Sequence, residues 1–255
     1  MPSETVGKTI GVAAGVCVVC SVFVATAAVC LKPIQDRNRT LERRRNVLMA
    51  AGLLKPGQKA DVDSLFKQIE TRVVDVSTHE FAEKVAPENV DPARDAQEPS
   101  RRIDVEDPRL GLRHVGKYQL IYLTREGGKI QRVILPVQGK GLWSTMYGFL
   151  ALDSDMTTIK SMSFYQHGET PGLGGEVDNP KWKQSWIGKQ AYDAQGKPDI
   201  KVVKGRADPN AADEVDGLSG ATLTARGVEN LVRFWLGEEG YGPILKKLKV
   251  GGAHG

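Results

Sequence analysis

The sequence predicts an α+β fold: a single N-terminal transmembrane helix followed by one soluble domain with a mixed sheet and flanking helices. Three observations predict it. Thr9–Leu31 holds no charged residue. Short β-rich runs bounded by Gly, Asn and Asp fill the middle of the chain. Apolar residues at helical spacing close it. The 255 residues include 35 Lys+Arg and 31 Asp+Glu, a net charge of +4, too small to point to a nucleic-acid partner. With 40% hydrophobic and 26% charged residues, the chain is neither wholly disordered nor a multispan membrane protein.

At 1.5 Å per residue, Thr9–Leu31 reaches roughly 34 Å, enough to cross a hydrocarbon core of about 30 Å. A cleaved signal peptide would end near Ala25-Thr26-Ala27, yet the apolar run continues past that point to Leu31. A retained anchor is the better reading. All three cysteines, Cys17, Cys20 and Cys30, lie inside this run, where they read as small apolar residues. The remainder therefore has no disulfide framework and no Cys-bound metal. Lys32, Arg37, Arg39, Arg43, Arg44 and Arg45 follow the span, against Asp36 and Glu42. Taken alone, this bias puts the large domain in the cytoplasm.

Residues 33–52 predict an amphipathic helix with Gly52 as its C-cap. Pro56-Gly57 predicts a turn, and Asp61 caps a short helix with Val62, Leu65, Phe66 and Ile69 at helical spacing. Asp75 to Asp107 has ten acidic residues against four basic, with Pro87, Pro92 and Pro99 interspersed, and reads as a solvated arm. The expected divisions are a tail at 1–8, the span at 9–31, a helical stalk and acidic arm at 32–110, the domain at 111–250 and a tail at 251–255. Lys117–Thr124 and Lys129–Pro136 flank Gly127-Gly128, a hairpin signal. Met146–Leu152, Thr158–His167 and Ile200–Lys204 read as strands. Asn179-Pro180 predicts a helix start, Ala221–Leu236 a helix closed by Gly237, and Gly242–Leu248 a short final helix.

Three segments carry chemistry. In Asp216-Gly-Leu-Ser-Gly-Ala-Thr-Leu-Thr224, small and hydroxyl residues stand just before a helix. Unpaired N–H groups and dipole density there suit a phosphate; simple capping by Ser219 or Thr222 is the bland alternative. His167-Gly-Glu-Thr-Pro-Gly-Leu-Gly-Gly175 is an irregular loop with an apolar residue at its centre, suited to covering a flat ring. Gly139-Lys-Gly-Leu-Trp-Ser-Thr145 sets Trp143 on a Gly-rich turn; a lone tryptophan is more often core. His79, His114, His167 and His254 are scattered, without metal-ligand spacing. The short Gly patterns lack a Rossmann context, so no NADH site is expected here.

Together the SGATLT, GETPGLGG and GKGLW segments and the single span resemble the FMN-binding domain family, within it the C-type subunits of sodium-translocating NADH:quinone reductases. The resemblance covers nearly the whole chain. It implies FMN joined through its phosphate to the hydroxyl of the motif's last Thr or Ser, here Thr224; Thr222, at the motif's earlier position, is the nearby alternative. Asp216, Ser219, Gly220, Ala221, Thr222 and Leu223 would surround the attachment. Thr170, Gly172 and Leu173 would contact the ring, Trp143 would lie near it, and Lys204 would offset charge on reduced flavin. The implied role is that of an electron-carrying subunit of a multisubunit NADH:ubiquinone reductase that exports sodium. Its implied partners are the other subunits, the membrane and a flavin transferase for maturation. The resemblance places the domain on the outer face of a bacterial inner membrane, against the charge bias. The alternatives are the G-type subunit of Rnf complexes, with the same covalent FMN, and a non-redox membrane-anchored scaffold.

Overall fold

The computed structural model describes residues 6–251. It divides into two compact units, residues 1–43 and 44–255. Helix α1 (Val6–Ala51) is continuous through Pro33. The expected span and the expected amphipathic helix are therefore one element, and the part of the expected tail at 1–5 lies outside the described residues. Among the described residues α1 is the one helix long and apolar enough to cross a membrane, and its apolar window is wholly exposed.

The second unit is built on a six-stranded antiparallel sheet. Its strands are β1 (Glu70–Asp75), β2 (Glu80–Phe81), β5 (Tyr118–Glu126), β6 (Lys129–Lys140), β7 (Thr145–Asp153) and β8 (Ile159–Gln166), in the order β2-β1-β5-β6-β7-β8. The β5–β6 hairpin closes on Glu126 opposite Lys129, with Gly127 and Gly128 at φ 57° and 82°. Those angles favour glycine and match the primed turn that strand twist requires. Parallel pairing, expected within a mixed sheet, is confined to the separate pair β9 (Lys201–Val202) and β10 (Glu214–Val215).

Side chains alternate across the sheet. Ile121, Leu123, Val133, Leu135, Leu150 and Leu152 face one core, and Leu120, Tyr122, Ile134, Phe149 and Ala151 the other. Helix α5 (Thr222–Leu236) covers the first face through Val228, Leu231, Val232 and Trp235. Trp235 Nε1 donates to the Gln138 carbonyl at 2.7 Å, which fixes α5 on β6. Helix α6 (Gly242–Gly251) and helix α4 (Pro180–Gln184) flank it, α4 capped by the Asn179 side chain as expected. The second face is covered by Val47, Leu48, Ala50 and Ala51 of α1, with helix α2 (Val62–Phe66) packed beside them.

The acidic arm differs from expectation. β1 and β2 belong to the main sheet, so the folded unit begins well before residue 111. The rest carries helix α3 (Pro92–Asp95) and strand β3 (Arg102–Asp104), which pairs with β4 (His114–Gly116). Most of its carboxylates are exposed as expected, but two are buried and paired. Asp95 is fully buried and accepts from Arg101 Nε at 2.9 Å and Nη2 at 3.0 Å. Asp75 lies 3.3 Å from Lys117 Nζ.

Candidate functional site

The segment Asp216–Thr224 runs from β10 into the first turn of α5. Neither Ser219 nor Thr222 caps the helix. Ala221 holds the N-cap position and makes no side-chain capping bond. The first-turn N–H groups therefore face outward without a side-chain acceptor, and the capping explanation for this Ser/Thr cluster falls away. Ser219, Gly220 and Thr222 are exposed. With Lys204, Arg206 and Arg226 they line a groove of about 1020 Å³. The groove also carries Asp216 and Glu229, so three cations stand against two carboxylates, and the helix N-terminus adds positive dipole density at one end. Thr222 and Arg226, four residues apart, share a helix face.

Asp216 shapes the groove from beneath. Its carboxylate accepts from Ala207 N–H at 2.9 Å, and its carbonyl from Trp182 Nε1 at 2.8 Å. Gly220 has φ 69°, and a β-carbon there would stand 2.9 Å from Leu173 Cδ2. The GETPGLGG loop thus reaches over the turn that precedes Thr222. Thr170 folds that loop by accepting from Leu173 and Gly175 N–H at 3.1 and 2.9 Å, leaving Gly172 at its exposed tip.

Thr224, the expected attachment point, is 1% exposed. Its Oγ1 donates to Glu169 Oε2 at 2.7 Å. A residue two positions from Thr222 stands about 200° around a helix, so the two hydroxyls face opposite ways. Thr224 lies on the inner side of α5 with Ala225, Val228 and Leu231.

Glu169 organises three segments. Its carboxylate accepts from the N–H groups of Leu142 (3.2 Å), Trp143 (3.0 Å) and Ser144 (3.2 Å) as well as from Thr224. Burial works against its charge. The Thr224 hydroxyl and the three N–H groups outweigh burial and hold the carboxyl below its ordinary range. Gly174 is close-packed here, since a β-carbon would lie 2.6 Å from Thr224 Oγ1. His167 continues the network: its Nδ1 accepts from Glu169 N–H at 3.2 Å, and its Nε2 lies 2.8 Å from Asp178 Oδ2.

Above this clamp stand large apolar side chains in water. Trp143 is 68% exposed, Leu223 56% and Leu173 45%. Trp143 is therefore not core. The structure brings Lys204, Asp216, Ser219, Gly220 and Thr222 together around the groove, and Trp143 and Thr224 together around Glu169. The sequence reading missed Glu169, Arg206 and Arg226. For Glu169 the chain offers little signal, because its donors are backbone groups and a hydroxyl 55 residues away. For Thr224 a signal was present: its spacing to Val228, Leu231 and Trp235 is that of the buried stripe.

A helix N-terminus in a groove that carries three cations, with the apolar loop tip Leu173 beside Gly220, gives the site the chemistry of a module for a phosphate-bearing ring. A family model described as FMN-binding domain matches residues 141–237. The C subunit of the Na(+)-translocating NADH-quinone reductase of Pseudomonas aeruginosa is 47% identical over 257 residues, 98% of each chain. Its counterpart from Yersinia pestis is 47% identical over 254 residues, 98% of this chain and 95% of that one. The crystal structure of Shewanella oneidensis NqrC superposes with a TM-score of 0.76 at 33% identity, covering 82% of this chain and 97% of that one. The chain belongs to the family of C subunits of Na(+)-translocating NADH-quinone reductases.

Proposed function

We propose that this chain is the flavin-carrying subunit of a membrane-anchored, sodium-translocating NADH:ubiquinone reductase, and that it holds FMN through a phosphoester to Thr224. The observation that carries the proposal is the start of α5, which has no side-chain cap and opens into a groove lined by Lys204, Arg206 and Arg226, with Thr224 in its first turn as the last hydroxyl of the motif. The ester would replace the hydrogen bond from the Thr224 hydroxyl to Glu169; Thr222, exposed in the groove, is the second candidate. The names of the relatives support the sodium-translocating reductase over the Rnf-type complex.

Bound FMN supplies the electron-transfer chemistry. The chain's own residues bind and orient it. The α5 N–H groups and the three cations offset the phosphodiester charge. Leu173 and Trp143 offer apolar surface to the ring, and the clamp at Glu169 fixes the turn that carries Trp143. A tethered carrier cannot dissociate between electron uptake and release. The remaining subunits would supply its electron donor and acceptor, and a flavin transferase would attach the FMN.

The domain is assigned to the periplasmic face of a bacterial inner membrane. The family resemblance supports this, although the basic run Lys32–Arg45 points the other way. Protease added to intact spheroplasts should digest the domain, and full protection would reverse the placement. The attachment is tested by in-gel flavin fluorescence after denaturing electrophoresis. Wild type should give a band and Thr224→Ala none; a band that persists in Thr224→Ala refutes the assignment.

A further inference from the structure

The basic run that follows the span divides in two. Arg44 pairs with Asp63, and Arg45 Nη2 donates to the Gln58 carbonyl at 2.8 Å. These two fasten the last turns of α1 to α2 and the loop before it. Lys32, Arg37 and Arg39 are exposed, and among the described residues they make no ion pair and no side-chain hydrogen bond. Asp36 lies among them, four residues from Lys32 and three from Arg39, and its carboxylate pairs with neither. Three cations thus stand against one carboxylate on this stretch of helix.

Their height is set by the helix that carries them. α1 runs without a break from the apolar span through Pro33 to Ala51. At 1.5 Å per residue, Lys32 stands at the edge of the apolar run, Arg37 roughly 9 Å beyond Leu31 and Arg39 roughly 12 Å. A bilayer about 40–45 Å thick over a hydrocarbon core of about 30 Å has a headgroup layer of roughly 5–8 Å on each side. Side chains on a helix lean toward its N-terminus, which here is back toward the membrane. Arg37 and Arg39 therefore reach into that layer from above, and Lys32 carries its ammonium into it along an apolar stem. The anion present at that depth is lipid phosphate, which a guanidinium can take with two parallel hydrogen bonds.

We propose that Lys32, Arg37 and Arg39 form a collar that binds anionic phospholipid headgroups, of the phosphatidylglycerol type, in the leaflet that α1 leaves. The proposal rests on the reading of α1 as a membrane span and is independent of the flavin. It holds on either face of the membrane, because the charges and the span belong to one helix. The basic run then has a role beside the periplasmic face as much as beside the cytoplasmic one.

The test uses the full-length chain reconstituted in phosphatidylcholine vesicles. Trace spin-labelled phosphatidylglycerol or phosphatidylcholine is added, and electron paramagnetic resonance measures the fraction held at the protein. Wild type should prefer phosphatidylglycerol by about fivefold at low salt, and the preference should fall as salt rises. Lys32→Gln/Arg37→Gln/Arg39→Gln should hold the two lipids alike, with an unchanged circular dichroism spectrum. Lys129→Gln/Lys181→Gln/Lys197→Gln removes the same charge from exposed positions of the second unit and should keep the preference. Glycerol phosphate at matched ionic strength should not compete, because no acyl chain holds it at the height of the collar. A preference that survives in the collar variant, or that the control variant loses equally, overturns the proposal. Competition by glycerol phosphate overturns it in favour of a free-anion site. A wild type without lipid preference, whose collar variant sheds the other subunits on purification, overturns it in favour of an acidic protein partner. Wild type that alkaline carbonate strips from the vesicles overturns the reading of α1 as a span, and the proposal with it.

Discussion

The Thr224 hydroxyl donates to Glu169 Oε2 at 2.7 Å, joining two residues 55 positions apart in the chain. This bond ties the first turn of α5 to the loop that follows β8. Thr222, two positions earlier, lies on the opposite side of the helix, open to the groove.

Thr224→Val removes the donor while keeping the shape. A buried carboxylate that loses one donor should cost about 1–3 kcal/mol of stability. Urea denaturation of the flavin-free protein should show this loss. The same variant has no hydroxyl to esterify, so its flavin band on a denaturing gel should be absent.

Glu169 makes stability depend on pH in a predictable direction. Its folded carboxyl lies below the unfolded value of about 4.3. The unfolded chain therefore binds its proton first as the pH falls. The stabilisation is fully present above the unfolded value and is lost as the pH falls through the folded one. Gln at this position does not titrate. The stability difference between wild type and Glu169→Gln should shrink as the pH falls from about 5 to about 3, measured by urea melts. A difference that stays constant over that range would show that the carboxylate does not titrate as described.

Trp143 is 68% exposed on the turn that Glu169 holds. An exposed tryptophan contributes little to the fold, so Trp143→Ala should change stability by no more than about 0.5 kcal/mol. Its flavin fluorescence yield should nevertheless change, because an aromatic neighbour near the ring would be gone. A variant that is strongly destabilised, or one with wild-type flavin fluorescence, would remove Trp143 from the site.

Much of the fold was legible where a local rule governs it. The β5–β6 hairpin followed from two β-rich runs around Gly127-Gly128, and the start of α4 from Asn179-Pro180. The acidic arm was not legible. Its ten carboxylates and its prolines read as solvated, whereas Asp95 is buried by an arginine six residues away and β1 finds its partner strand more than 40 residues later. The site divided in the same way. The SGATLT and GETPGLGG segments announced themselves by composition. Glu169 did not, because its ligands are backbone N–H groups that only the folded turn brings together. The burial of Thr224 was legible on helical phase, since the apolar stripe through Val228 and Trp235 includes it and not Thr222.

The attachment of FMN at Thr224 is the central claim, and peptide fragmentation tests it most directly. Cleavage after Arg206 and Arg226 releases one peptide, Ala207–Arg226, that contains both threonines. Fragment masses from the mature, membrane-extracted protein should place the increment of one FMN less one water on Thr224, with Thr222 unmodified. The increment on Thr222, or a peptide with none, would contradict the account.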